Sequence, residues 1–213
     1  NAACPYNAGH SVSGDVLNFV LPASYDLGST LSNTNAAMYG KNVGGTLKFN
    51  HLAGVMRFSF KDVPAGTNKF TITLDRKING TFEVDLTADN PILEAESTGI
   101  LSEKTLEFHF ETLTEVSDIK LYVPLPVGTY TKLDLGLYAD DEALWTYSNT
   151  VTNSIDRKTL KLMPTVSVGG STDEDGEAGP DDYVDEYGIN HGPGVEISGV
   201  IWAPVNCGYH AKD

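Results

Sequence analysis

Thr46-Leu47-Lys48-Phe49-Asn50-His51-Leu52-Ala53-Gly54-Val55-Met56-Arg57-Phe58-Ser59-Phe60 decides the fold class. Leu47 and Phe49 alternate with Lys48 and Asn50, and Met56, Phe58 and Phe60 alternate with Arg57 and Ser59 in a shifted register. Successive side chains of a strand point to opposite faces, so a period of two marks one buried and one solvated face. Ala53-Gly54 lies where the register changes, and a bulge or kink there would absorb the shift. The period recurs in Phe70, Ile72 and Leu74, in Phe82, Val84 and Leu86, and in Leu106, Phe108 and Phe110. Ile119, Leu121 and Val123 repeat it, then Leu133, Leu135 and Leu137, and Leu160 and Leu162 close the series. Upstream, Val16–Leu21 is an apolar run ended by Pro22, and the polar, Gly/Asn-rich stretch Asn33–Gly45 reads as a loop. No segment longer than about ten residues holds a 3.6-residue period. The pattern predicts an all-β chain, an antiparallel β-sandwich with very little helix.

The 213 residues carry 29 acidic and 14 basic side chains, a formal charge of −15. Phosphate binding needs clustered Lys and Arg, so no nucleic-acid partner is expected. Hydrophobic residues make up 40 %, enough for a core and too many for an intrinsically disordered chain. No apolar run approaches the 18 residues of a membrane-spanning helix, so no span is expected. The chain starts at Asn1 rather than Met, which reads as a trimmed product. Cys4 and Cys207 lie near opposite ends, and spacing alone leaves open whether they pair; two separate thiols is the simpler reading.

Motifs for chemistry are sparse. His10, His51, His109, His191 and His210 show neither HxxxH nor HExxH spacing, and no nucleophile elbow is present. Val43-Gly44-Gly45 is a Gly-rich turn rather than a phosphate loop. Asn79-Gly80-Thr81 matches a glycosylation sequon, but Asn-Gly is also a preferred tight-turn pair, and the turn reading is the stronger. No catalysis is expected. Trp145, Tyr147 and Trp202 are the aromatics that a glycan-binding face would use, against the plainer reading of core and cross-strand pairs.

Gly169–Asn190 differs from the rest. Asp173, Glu174, Asp175, Glu177, Asp181, Asp182, Asp185 and Glu186 place eight acids in fourteen residues, which leaves 21 acids against 14 bases elsewhere. Like-charge repulsion extends such a stretch, so it reads as a linker. Asp173, Asp175 and Glu177 are the carboxylates that would hold Ca²⁺ if the segment closed on an ion; no other cofactor is expected. Val195–Val205 is apolar again. Val195, Ile197, Gly199, Ile201, Ala203 and Val205 share one face of an extended strand, with Glu196, Ser198, Val200 and Trp202 on the other. A lone strand with a bare apolar face is unstable in water, so this one must pair with something. The expected organisation is therefore 1–44 as the end of a preceding β domain or edge strands, 45–168 as the sandwich, 169–190 as the acidic linker, and 191–213 as a C-terminal strand or the truncated start of a second domain.

Several segments taken together resemble the fimbrillin family, the subunits and tip proteins of type V pili and related surface lipoproteins. They are Cys4-Pro5-Tyr6-Asn7, Val20-Leu21-Pro22, Ala37-Met38-Tyr39-Gly40, the stretch Leu47–Phe58, the stretch Tyr122–Tyr130 with its Pro-Leu-Pro, and Ile155–Pro164. Their order and spacing cover about residues 1–168. Val200–Tyr209 is similar to the opening of the major paralogous domain found on secreted proteins of gut anaerobes. The resemblance implies a transthyretin-like sandwich at the cell surface, anchored to the outer membrane before maturation. It implies a fimbrial or adhesion role in which one subunit donates a strand to the next. Val195–Val205 would be that donor strand, and the partners would be other surface or pilus subunits, this chain included, or host and microbial glycans and proteins. The rival reading is a glycan-binding module of a polysaccharide-capture lipoprotein.

Overall fold

A computed structural model describes residues 2–31 and 36–168, together with the strand backbones at 182–184, 190–193, 195–197 and 200–202. The chain divides into two compact units, Asn1–Val168 and Gly169–Asp213.

The first unit is all β. In chain order its strands are β1 (Ala2–Cys4), β2 (Ser11–Ser13), β3 (Val16–Leu21), β4 (Ser24–Asp26), β5 (Met38–Val43), β6 (Thr46–His51), β7 (Gly54–Val63) and β8 (Lys69–Leu74). There follow β9 (Gly80–Asp85), β10 (Thr105–His109), β11 (Ser117–Leu125), β12 (Gly128–Tyr130), β13 (Leu133–Ala139), β14 (Glu142–Asn149), β15 (Asn153–Ile155) and β16 (Leu160–Ser167). Two single 3₁₀ turns, Gly28–Thr30 and Leu101–Lys104, are the helical elements among the described residues.

Two facing sheet pairs build two cores. The larger core lies between the five-stranded sheet β14-β13-β8-β10-β4 and the three-stranded sheet β11-β7-β16. Met56, Phe58 and Phe60 of β7 meet Phe70 and Ile72 of β8, Phe108 of β10, Leu121 and Val123 of β11, and Leu133, Leu135 and Leu137 of β13. Each of these is the inward row of a period-two strand, as the alternation predicts. Burying a Phe or Leu side chain contributes about 1.5–3 kcal/mol, so these rows dominate the stability of the unit. The smaller core joins Leu17, Phe19 and Leu21 of β3 and Phe82 and Val84 of β9 to Tyr39 of β5, Leu52 and Leu93.

The second core changes the expected organisation. β3 pairs antiparallel with β9, Phe19 opposite Phe82. β5 pairs antiparallel with β6, Gly40 opposite Phe49. A boundary at 44/45 would cut both pairings, so residues 1–44 are not the end of a preceding domain. They supply the edge strands β1, β2 and β4 and the central strands β3 and β5 of the same unit. The loop expected over Asn33–Gly45 is also corrected: its second half is β5, joined to β6 by Gly44 and Gly45 at φ +60° and +82°. That left-handed pair is what lets so short a connection reverse the chain.

Two neighbours run parallel rather than antiparallel: β4 beside β10, and β16 beside β7. Parallel neighbours need a long crossover, and both pairs are far apart in sequence, so no local signal reports them. At the change of register read between Leu52 and Val55, the chain passes from one core to the other. Gly54 is required there by close approach, because a Cβ would fall on the backbone oxygen of Asp156 and the side chain of Ile155.

The described strands of the second unit form two pairings. β17 (Asp182–Val184) pairs with β18 (Asn190–Pro193), and β19 (Val195–Ile197) with β20 (Val200–Trp202), both antiparallel.

Candidate functional site

Among the described residues the larger sandwich is open along one side. β14 is the last strand of its sheet and β16 the last of the facing sheet. Antiparallel pairing sets Tyr147 opposite Leu135 and Trp145 opposite Leu137, so both aromatics join the inward row. Parallel pairing sets Lys161 opposite Met56 and Val166 opposite Phe60, so Lys161 and Val166 also point between the sheets. A cavity of about 290 Å³ lies between these edges. Phe58, Leu133 and Leu135 form its floor; Tyr147, Asn149 and Val151 bound it on one side, and Lys161, Met163, Pro164 and Val166 on the other. The polar groups are mostly engaged locally. The Asn149 amide donates to the Tyr147 hydroxyl (3.1 Å), and the Asn153 amide donates to the Val151 carbonyl (2.9 Å). Two sheet edges with an apolar slot between them are what an added strand requires: main-chain bonds along the edge, and side chains inserted at alternate positions.

The candidate glycan residues fall in and beside this groove. The Trp145 ring lies edge-on to Phe60 (centroids 5.6 Å, 71°) and stacks with Tyr147 (5.9 Å, 3°). The indole is half-buried against the core, while Tyr147 keeps 44 % of its surface exposed and borders the groove. Trp145 is thus taken up by packing, and Tyr147 is the more exposed member of the pair. Trp202 is in β20; its side chain lies outside the described residues.

The proposed donor strand is not one strand here. Val195, Ile197 and Ile201 lie in β19 and β20, which pair with each other, Glu196 opposite Ile201 and Ile197 opposite Val200. β19 and β20 are thus two short paired strands within the stretch Val195–Val205. Gly199, Ala203 and Val205 lie outside the described residues, as do Asp173, Asp175, Glu177 and Cys207. Cys4 is a free thiol in β1.

The remaining sequence candidates have structural roles. The His10 Nδ1 accepts from the Val20 backbone N–H (3.0 Å), its Nε2 lies 3.0 Å from the Pro5 carbonyl, and its ring packs on Phe19. The His109 ring lies 3.3 Å from the Glu107 carboxylate on the surface. Among the described residues no three of His, Cys, Asp and Glu gather to hold a metal ion. Asn79 of the sequon is buried, and its amide donates to the carbonyls of Ser102 (2.8 Å) and Thr105 (2.7 Å). Gly80 follows at φ +89° as the first residue of β9, a left-handed conformation that glycine favours. A second, open hollow of about 810 Å³ is lined by Arg76, Lys77, Glu94 and Glu96. Its cations are held by the fold: Arg76 donates to the Thr129 and Ala95 carbonyls, and Lys77 to the Thr81 carbonyl and Glu96.

Sequence reasoning missed Lys161, Met163 and Val166 as groove residues. The row Leu160 and Leu162 looks buried, yet both leucines are more than half exposed, and the inward positions belong to Lys161 and Met163. Pro164 was the available signal, since proline inside a strand marks an edge.

No family model matches the chain, and no curated protein matches it. Among solved structures, the chain is similar to one described as a "putative cell adhesion protein" from Bacteroides ovatus, at 13 % identity and a TM-score of 0.49. The match covers 78 % of this chain and 60 % of that one, so this chain spans about three-fifths of the length of that structure. A likeness of that size carries no argument about activity. No helix among the described residues is long and apolar enough to cross a membrane.

Proposed function

We infer that this protein is a non-enzymatic cell-surface adhesion or pilus subunit that assembles by strand exchange. The reading rests on one observation: the apolar groove left open between β14 and β16. It takes an extended segment of another subunit, and Val195–Val205 is the segment of this chain suited to it. β19 and β20 make three residue pairs with each other. A two-stranded hairpin is marginally stable by itself in water, so opening it costs little compared with burial in a groove. The resemblance to fimbrillins supports the same reading, with an outer-membrane anchor before maturation.

Leu162 and Val151 border the groove and are 55 % and 63 % exposed, so both tolerate substitution. Leu162→Arg and Val151→Arg, made in the full chain, are expected to abolish self-association seen by light scattering while leaving thermal unfolding unchanged. Self-association that persists in both variants contradicts the reading.

The glycan reading has one feature in its favour, the partly exposed Tyr147 stacked on Trp145. Saturable binding on a glycan array, lost in Tyr147→Ala, would favour it.

A further inference from the structure

Lys161 is out of place in the groove. It is a half-buried lysine on the inward row of an edge strand, opposite Met56, which is fully buried. Among the described residues its side chain makes no hydrogen bond, ion pair or ring contact. Among the described residues that line the groove there is no aspartate or glutamate. A lysine so placed keeps its ammonium hydrated by reaching out through the open edge. A strand that covers the edge removes that water. The ammonium must then meet a carboxylate or remain as a buried, unpaired charge, which is strongly unfavourable. Inward-pointing charges on edge strands are a known means of refusing unwanted strands. Here the same device would select: a wholly apolar row is rejected, and a row with one carboxylate at the right place is admitted.

We propose that Lys161 is the specificity-determining residue of the groove and that it admits the Val195–Val205 segment of a second copy through Glu196. This rests on the strand-exchange reading above and sharpens it, because it fixes which face enters. Extended, the segment has two rows. Val195, Ile197, Gly199, Ile201, Ala203 and Val205 carry no acid, whereas Glu196, Ser198, Val200 and Trp202 carry one. Set parallel to β16, with Glu196 beside Lys161, the second row brings Ser198 towards Met163 and its apolar members towards Val166. The acid stands at the leading end of its row as Lys161 stands at the leading end of β16. The row with more apolar residues is therefore the one left outside.

The test is fluorescence anisotropy of a labelled peptide spanning Gly194–Val205 titrated with the full-length protein. The wild-type pair is expected to bind, with affinity falling on the order of tenfold for peptide E196Q or protein K161M. The two changes together should cost no more than one alone, since each removes the same contact. Protein K161R should keep the preference, and protein K161E should invert it towards peptide E196K. V200A and W202A should weaken the peptide, while V195A and I197A should not. Equal binding of wild-type and E196Q peptides, or dependence on Val195 and Ile197 instead, overturns the role of Lys161 and leaves strand exchange standing. No binding of any peptide to protein that melts normally overturns both.

Discussion

Asn79 shows how a single side chain can be misread from its neighbours. Its carbonyl acceptors come from Ser102 and Thr105, more than twenty residues away, so the sequon match is a structural amide tying the β9 entry to β10. Asn79→Ala removes both hydrogen bonds of a buried amide and is expected to lower unfolding free energy by about 1–3 kcal/mol in urea titrations. Asp75 makes the complementary case at the surface. Burial pushes its carboxyl up, but the Thr131 hydroxyl (2.7 Å) and backbone N–H (3.1 Å) outweigh that and hold it below the ordinary carboxylate range. A pKa lowered by folding gives stability that is present above the unfolded value, about 4, and is lost as pH falls through the folded value. The stability difference between wild type and Asp75→Asn should therefore be largest above about pH 5 and shrink towards pH 2 in acid unfolding series. Asp134 has the same sign: burial raises its carboxyl, and Lys132 and Ser148 together bring it below the usual range.

Strand existence was legible, while strand partners and some strand faces were not. Period two located β7, β8, β9, β10, β11 and β13 because each has one face in a core, and burial follows alternation there. It failed on β6 and β16. Both are edge strands of their sheets, and Leu47, Phe49, Leu160 and Leu162 are 43–55 % exposed. An edge strand has a sheet neighbour on one side only, so an apolar row there signals strand without fixing a buried face. The groove was illegible for the same reason. It is made where β14 and β16 approach without pairing, through a parallel contact of β16 with a strand a hundred residues earlier. Trp145 and Tyr147, adjacent in one row, should separate by experiment. Trp145→Ala removes the ring packed on Phe60 and is expected to cost about 2 kcal/mol or more, whereas Tyr147→Ala should cost under about 1 kcal/mol. Equal losses in thermal unfolding would show that the Tyr147 ring contributes as much to the core as the indole.

For the whole molecule, the central claim is that the open side of the sandwich is completed by a strand from another copy. Asn1–Val168 contains both cores and the groove, and Gly169–Asp213 contains the segment assigned to fill it. Much of the net charge of −15 comes from the eight acids of 173–186, which stand in the second of these parts, ahead of that segment. Among the described residues the groove by contrast carries a lysine and no acid. The most direct measurement is the assembly state, by multi-angle light scattering and negative-stain microscopy, of the full chain beside a chain ending at Asn190. The account predicts dimers or fibres for the full chain and monomers for the shortened one, with the melting of the sandwich unchanged. The same assembly state for both chains would contradict it.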